Sequence, residues 1–126
     1  MSQLADYAEN KLIEHLVRHV SYTSPTTVYL ALFTTATTDA GGGTEVTGGS
    51  YARQAITFGA ASGGTCLNSV AVSFTTMPAT TVTHAAIMDA STSGNMLMHG
   101  ALTASKTTGA GDTLTFAIGD LSATLA

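Results

Sequence analysis

Val28-Tyr29-Leu30-Ala31-Leu32-Phe33 is the stretch on which the fold turns. Its six residues are apolar at odd and even positions alike, and Val, Tyr and Phe favour the pleated conformation. A strand with that pattern is buried on both faces, so it belongs in the middle of a sheet. Pro25 stands just upstream, where it stops any preceding helix and pushes Ser24 towards extended backbone.

Upstream of this strand the period changes. Leu4, Ala5, Ala8, Leu12, Leu16 and Val20, with Ile13 and Val17 beside them, recur at i, i+3 and i+4. That predicts a helix over residues 3–20 with one broad apolar stripe. Ser2 is placed to cap it, Asp6 and Glu9 lie early, and Arg18 and His19 lie late, as the helix dipole favours. Glu14 and Arg18 make an i, i+4 pair on the exposed side. Ser21 to Pro25 ends the helix.

Downstream the period stays at two. Ala52 to Phe58, then Val70, Val72 and Phe74, then Val82 to Met88, Met96 to Leu102, and Leu114, Phe116 and Ile118 read as strands, with Leu121 to Leu125 closing the chain. Between them lie Gly59 to Thr65, a break at Met77-Pro78, Ser93-Gly94-Asn95 and Gly109-Ala110-Gly111-Asp112, all of turn composition. Seven or eight short strands with no second helix imply a mainly β fold, an antiparallel sandwich or jelly-roll-like barrel carrying one N-terminal helix. A single domain over 1–126 is expected, with a β body over 27–126 and a Gly-rich loop at 35–50 as its mobile or partner-ordered segment.

Composition narrows the function classes. Only 10% of the 126 residues are charged and 44% are hydrophobic, against about 25% charged in an average soluble protein. Thr, Ser, Gly and Ala take the place of charge, as expected where much of a β surface is covered by neighbours. Lys11, Arg18, Arg53 and Lys106 are scattered, and the net charge of −4 argues against nucleic acid as a partner. No apolar run reaches membrane-span length and the N-terminus lacks signal-peptide character, so synthesis in a cytoplasm is expected. Cys66 is alone and reads as a buried structural thiol.

Each candidate chemical site lacks a necessary group. His15 and His19 have the four-residue spacing of a shared metal, but no third ligand is evident and Arg18 would adjoin the cation. His84 and His99 fall in separate strands as ordinary strand residues. No Gly-x-Ser-x-Gly elbow occurs, and the Gly-rich loop neither precedes a Lys nor opens a helix. Asp112 and Asp120 read as turn-fixing residues. Neither catalysis nor a metal or cofactor is expected. What stands out is apolar surplus: the helix stripe, together with Met77, Met88, Met96 and Met98, either fills the core or makes an oligomer contact.

Asp6-Tyr7-Ala8-Glu9-Asn10-Lys11-Leu12-Ile13-Glu14-His15-Leu16, Tyr22 to Phe33, Gly48-Gly49-Ser50-Tyr51-Ala52-Arg53, Val82 to Ala90 and Gly111 to Phe116 together resemble a family of small tailed-bacteriophage virion proteins. The resemblance runs in order along nearly the whole chain and departs from the pattern at Met77-Pro78-Ala79-Thr80, where a longer segment with an aromatic residue is expected. Members are often labelled phage tail fibre proteins, and similar small β proteins serve as capsid cement, or decoration, proteins. The resemblance implies a virion structural protein without a cofactor. On this basis the leading expectation is a trimeric cement protein that clamps the major capsid protein or other virion proteins of the assembled shell, and the rival is a tail fibre or tail-tip component. The candidate interface is Leu12, Ile13, Leu16, Val17, Val20, Tyr51 and Arg53. Arg53 has two readings: a fork for a neighbouring subunit's carboxylate, or one tied to a carboxylate or carbonyl of its own fold.

Overall fold

The computed structural model describes residues 3–125. Along the chain run β1 (Gln3–Leu4), α1 (Asp6–Val17), β2 (Val28–Phe33), β3 (Gln54–Ile56), β4 (Thr65–Leu67), β5 (Val72–Met77), β6 (Thr80–Met88), β7 (Met96–Thr108), β8 (Asp112–Phe116) and β9 (Ser122–Thr124). The fold is mainly β and antiparallel with one helix near the N-terminus, as the period-two pattern requires.

The principal sheet has the order β1-β7-β6-β2-β3. β2 is central as expected, pairing β6 from Tyr29↔Met88 to Phe33↔His84 and β3 from Val28↔Ile56 to Leu30↔Gln54. Alternation then sorts its side chains. Leu30 and Leu32, with Ala85 and Ile87 of β6, face the ribbon β5–β8, where Val72, Phe74, Met77, Leu114 and Phe116 complete the main core. Ala31 and Phe33, with Ala86 and Met88 of β6, face the other way and form a smaller cluster with Ala5 and Met96. Burial on both faces explains why β2 and β6 carry uninterrupted apolar runs. A second ribbon, β4–β9, closes one end.

The helix is shorter than 3–20. Ala5 is extended (φ −77°, ψ 154°), its N–H donates to Leu97 O (3.0 Å), and Leu4 pairs with Met98 of β7, so the first residues join the sheet before α1 starts. Ser2, the expected cap, lies outside the described residues, and the Ala5 position at the helix start offers no side-chain cap. At the other end Arg18 sits at the C-cap and His19 turns left-handed at φ 62°, so the helix stops well before Pro25. Among the described residues there are nine strands rather than seven or eight, because β1 and β4 carry too few apolar residues to announce themselves. β3 is confined to Gln54–Ile56 instead of filling 52–58, and Val70 and Ile118 lie exposed beyond the strands expected to hold them.

The Gly-rich loop is tied down along its length. Thr34 N donates to Thr44 O, Thr44 N to Thr35 Oγ1 and Val46 N to Leu32 O, each at 2.8–2.9 Å. Gly49 reaches the β5–β6 turn, where Ser50 N donates to Thr76 O (2.9 Å). The segment expected to be mobile or partner-ordered thus has hydrogen bonds of its own to the rest of the chain. Asp112 and Asp120 do fix turns, accepting from Gly109 N (2.7 Å) and Ala117 N (3.0 Å). Cys66 is only half-buried. Met77, Met88 and Met96 are core residues, so that part of the apolar surplus is spent inside the monomer.

Candidate functional site

α1 presents its apolar residues in two directions. Ala8 is its one buried residue, and Leu12 is half-buried beside it, facing the sheet. Ile13, Leu16 and Val17 are 59%, 70% and 70% exposed, and Val20 follows at 46%. At about 100° per residue, Leu16, Ile13 and Val17 span an arc of about 100° that begins about 40° beyond Leu12, so the apolar stripe runs from the sheet-facing side round to solvent. Three large apolar side chains of the helix thus stay mostly in water, where an ordinary surface helix turns its apolar stripe to the core.

Local structure holds this face together past the end of the helix. Val20 N–H donates to Glu14 O (2.9 Å), and His15 Nδ1–H donates to Val20 O (3.1 Å). With His19 in the left-handed region, these bonds fold Val20 back onto the stripe. Such a φ is costly for a residue with a side chain, although His is among the types that tolerate it. His15 thus closes the end of the helix through its side chain and His19 through its left-handed backbone, and no group of three or more His, Cys, Asp or Glu that could hold a metal ion occurs among the described residues. On the flank of the stripe, Arg18 Nη1 donates to Glu14 Oε2 at 2.6 Å. Beside it an apolar groove of about 410 Å³ runs between α1 and the sheet, lined by Leu4, Leu12, Tyr22, Pro25, Val28 and Met98 among others.

Tyr51 and Arg53 occupy a different place. Arg53 donates from Nε and Nη2 to the two carboxylate oxygens of Glu45, at 2.9 Å each, and from Nη1 to Ala90 O (2.9 Å) and Ser93 O (2.7 Å). Hydrogen bonding to Glu45 holds its guanidinium charged, above the ordinary arginine range. Tyr51 Oη donates to Glu45 Oε2 (2.7 Å) and accepts from Leu32 N–H (2.9 Å), and burial pushes its phenol well above the usual tyrosine value. Every polar group of the Arg53 fork is engaged within the chain, joining the 45–53 loop to the turn after β6. The sequence hinted at Tyr51 and Arg53 but not at Glu45, whose role depends on closing a Gly-rich loop.

Sequence reasoning also missed what His99 does. It is 1% exposed, with Thr37 Oγ1 at 2.7 Å from Nδ1 and Asp39 Oδ1 at 2.8 Å from Nε2. A carboxylate only accepts, so Nε2 carries the hydrogen and Nδ1 accepts from the threonine in the neutral ring. A hydroxyl, an imidazole and a carboxylate in line invite comparison with a nucleophilic triad. The cavity beside Asp39, however, is lined by Asp6, Tyr7, Met88, Asn95 and others, and neither Thr37 nor His99 borders it. The array instead pins the loop, and Asp39 O in turn accepts from Asp6 N (2.8 Å) at the start of α1.

The exposed apolar face of α1 is therefore the surface feature that stands out. No helix among the described residues is long and apolar enough to cross a membrane. No curated protein matches the chain. A family model does match it, over residues 3–124, the span that holds both the sheet and the exposed helix face, and by that match the chain belongs to the family of the Podophage GP4 fiber I protein gp80, a phage virion structural family.

Proposed function

We propose that the chain is a structural subunit of a virion fibre, acting through protein–protein contact and without catalysis, and that the outward face of α1 is its principal contact surface within the particle. The family, described as a fibre protein, carries this reading. The exposed stripe of Ile13, Leu16, Val17 and Val20 supports it, because side chains this apolar at this exposure gain most when a neighbour removes them from water. Tyr51 and Arg53 support the surface indirectly by holding the loop beside β2, and need no partner to be satisfied.

Capsid cement, bound to the major capsid protein, is the second reading. It is favoured by the sequence having no internal repeat of the kind an extended shaft is built from, together with a body poor in charge. Stoichiometry separates the two. Quantitative mass spectrometry of purified virions, with immunogold labelling of this chain, should give a copy number that is a small multiple of the tail symmetry and label confined to the appendage. Label over the head, at a number that scales with the major capsid protein, establishes the cement role. Absence from purified virions defeats both.

A further inference from the structure

We infer that β8 pairs edge to edge with β8 of a second copy of this chain, antiparallel across a two-fold axis at Leu114. The contact lies apart from α1 and does not depend on the role proposed for it. β8 (Asp112–Phe116) is paired along one side only, by β5, and no strand among the described residues takes its other side. Alternate residues of a strand turn their N–H and C=O towards each neighbour. Part of the β8 backbone therefore faces outward, beside a cavity of about 260 Å³ lined by Leu102, Lys106, Phe116 and Asp120 among others. A row of open donors and acceptors fits one kind of occupant, another extended strand.

Folded proteins blunt an open edge with brevity, a charge, a proline or a bulge, and the other edges of this molecule are blunted. β1 covers β7 at Met98 and His99, and beyond them the four residues 102–105 stand against Thr83 alone, a bulge that no straight partner follows. β3, β4 and β9 have three residues each. β5 carries a bulge of its own, where Thr75 and Thr76 stand against Thr113. The five residues of β8 include no bulge, proline or lysine, and their one charge, Asp112, stands at the first position.

The side chains select a second copy as that strand. Centred on Leu114, the antiparallel register sets Leu114 against itself, Thr113 against Thr115 and Asp112 against Phe116, so no like charges meet. Hydroxyl pairs of this kind already join strands within the chain, Ser73 Oγ to Thr115 Oγ1 at 3.0 Å and Thr81 Oγ1 to Thr107 Oγ1 at 3.1 Å. Directly opposed residues of an antiparallel pair share a face. Asp112 of the second copy therefore lies on the face of Phe116, where Lys106 Nζ stands 5.6 Å from the centre of the ring. Among the described residues Lys106 pairs with no carboxylate, and Asp120, which lines the same cavity, holds Ala117 N through Oδ2 (3.0 Å). The two-fold axis makes the Asp112–Lys106 contact twice. A stable interface takes about 800 Å² from each partner, more than five paired residues bury, so the dimer is weak and reversible.

Sedimentation equilibrium of the purified chain from about 1 µM to about 1 mM brackets such an affinity, and a reversible dimer is expected. In the native chain the outward amides of β8 should exchange more slowly as the dimer fills, while those of β9 stay unchanged. The double variant T113K/T115K sets lysine against lysine twice and should weaken the dimer at least about tenfold. Mixed with T113E/T115E, it should form a heterodimer tighter than either variant forms alone. Lys106→Ala should weaken the native dimer about threefold to tenfold, since the lost ion pair occurs twice. Thr113 and Thr115 are exposed, and an unchanged thermal midpoint excludes misfolding of the variants; if one does misfold, the amides of the native chain still decide. A chain that stays monomeric at every concentration, a trimer, β8 amides indifferent to concentration, a dimer indifferent to T113K/T115K, or oppositely charged variants that do not pair preferentially each overturns the inference. So does loss of the dimer in Leu16→Asp, which would move the contact to α1. The virion copy number tests the fibre role separately.

Discussion

At Leu32 the β3 side of β2 has run out of strand. On that edge β3 pairs β2 only as far as Leu30, and beyond it Val46 N–H reaches Leu32 O while the Leu32 N–H goes to a side chain. Tyr51 fills the gap: its hydroxyl accepts that N–H at 2.9 Å while its ring stacks on Phe74 with centroids 5.8 Å apart. Tyr51→Phe keeps the ring and removes the acceptor, leaving a buried N–H and one fewer donor to Glu45. Chemical denaturation at neutral pH should show a loss of about 1–3 kcal/mol. A second effect is pH-dependent. Burial raises the phenol above its ordinary value of 10 in the folded state, so folding holds this proton more tightly than the unfolded chain does. That contribution is complete below pH 10 and is lost as pH climbs above it. The stability gap between the native chain and Tyr51→Phe should therefore narrow in alkali, and a gap that stays constant to high pH would exclude titration of Tyr51. At Arg53 the demand is geometric. Four donors meet Glu45, Ala90 O and Ser93 O, and only a planar fork reaches all of them. Arg53→Ala should cost about 3 kcal/mol by leaving the Glu45 carboxylate without its cation, and Arg53→Lys should recover less than half of that in the same unfolding assay.

Among the elements, the Gly-rich loop holds its place by backbone approach. Gly49 has φ +55° and lies so close to the β5–β6 turn that an added Cβ would sit 2.5 Å from Thr76 O and 3.0 Å from Pro78 N. Gly41, at φ +86°, has nothing within 4 Å of that position. Both substitutions to Ala pay for a left-handed residue, about 1 kcal/mol, but only Gly49→Ala must also move backbone. Thermal unfolding should show Gly41→Ala close to that single cost and Gly49→Ala at least twice as damaging; equal effects would mean the loop does not clamp the turn. The elements also show what a sequence reveals. β2 and β6 were legible because burial on two faces writes an unbroken apolar run. α1 was legible by its period, but not its start, since Leu4 and Ala5 satisfy a helical stripe and a sheet edge equally well. β4 was not, because Thr65-Cys66-Leu67 is made a strand by Ser122–Thr124 opposite it. Of the site, the stripe was readable and its division was not: whether Leu12 or Ile13 faces the sheet depends on how the helix is rotated, and that is set by Ala5 and Ala8 packing on the sheet. The Glu45–Arg53 pair needed the loop closed before it existed.

For the molecule as a whole, the two clusters differ in what they can hold. The main core joins thirteen buried residues, from the sheet and the β5–β8 ribbon with Val46 and Leu121 of the loops, including Phe74, Leu30, Leu32 and Met77. The smaller cluster joins six, three of them alanines, and α1 meets the body through Ala5, Ala8, a half-buried Leu12, a two-residue strand and the bonds Ala5 N to Leu97 O and Asp6 N to Asp39 O. Apolar burial scales with area, and alanine contributes little of it. β1 and α1 can therefore come away while the main core stays closed, as a separate unit of lower stability. Amide hydrogen exchange should find α1 opening at least about 2 kcal/mol below the amides of β2 and β6, whose opening reports global unfolding. If α1 instead exchanges as slowly as β6, its own fold holds the helix as firmly as the core strands are held.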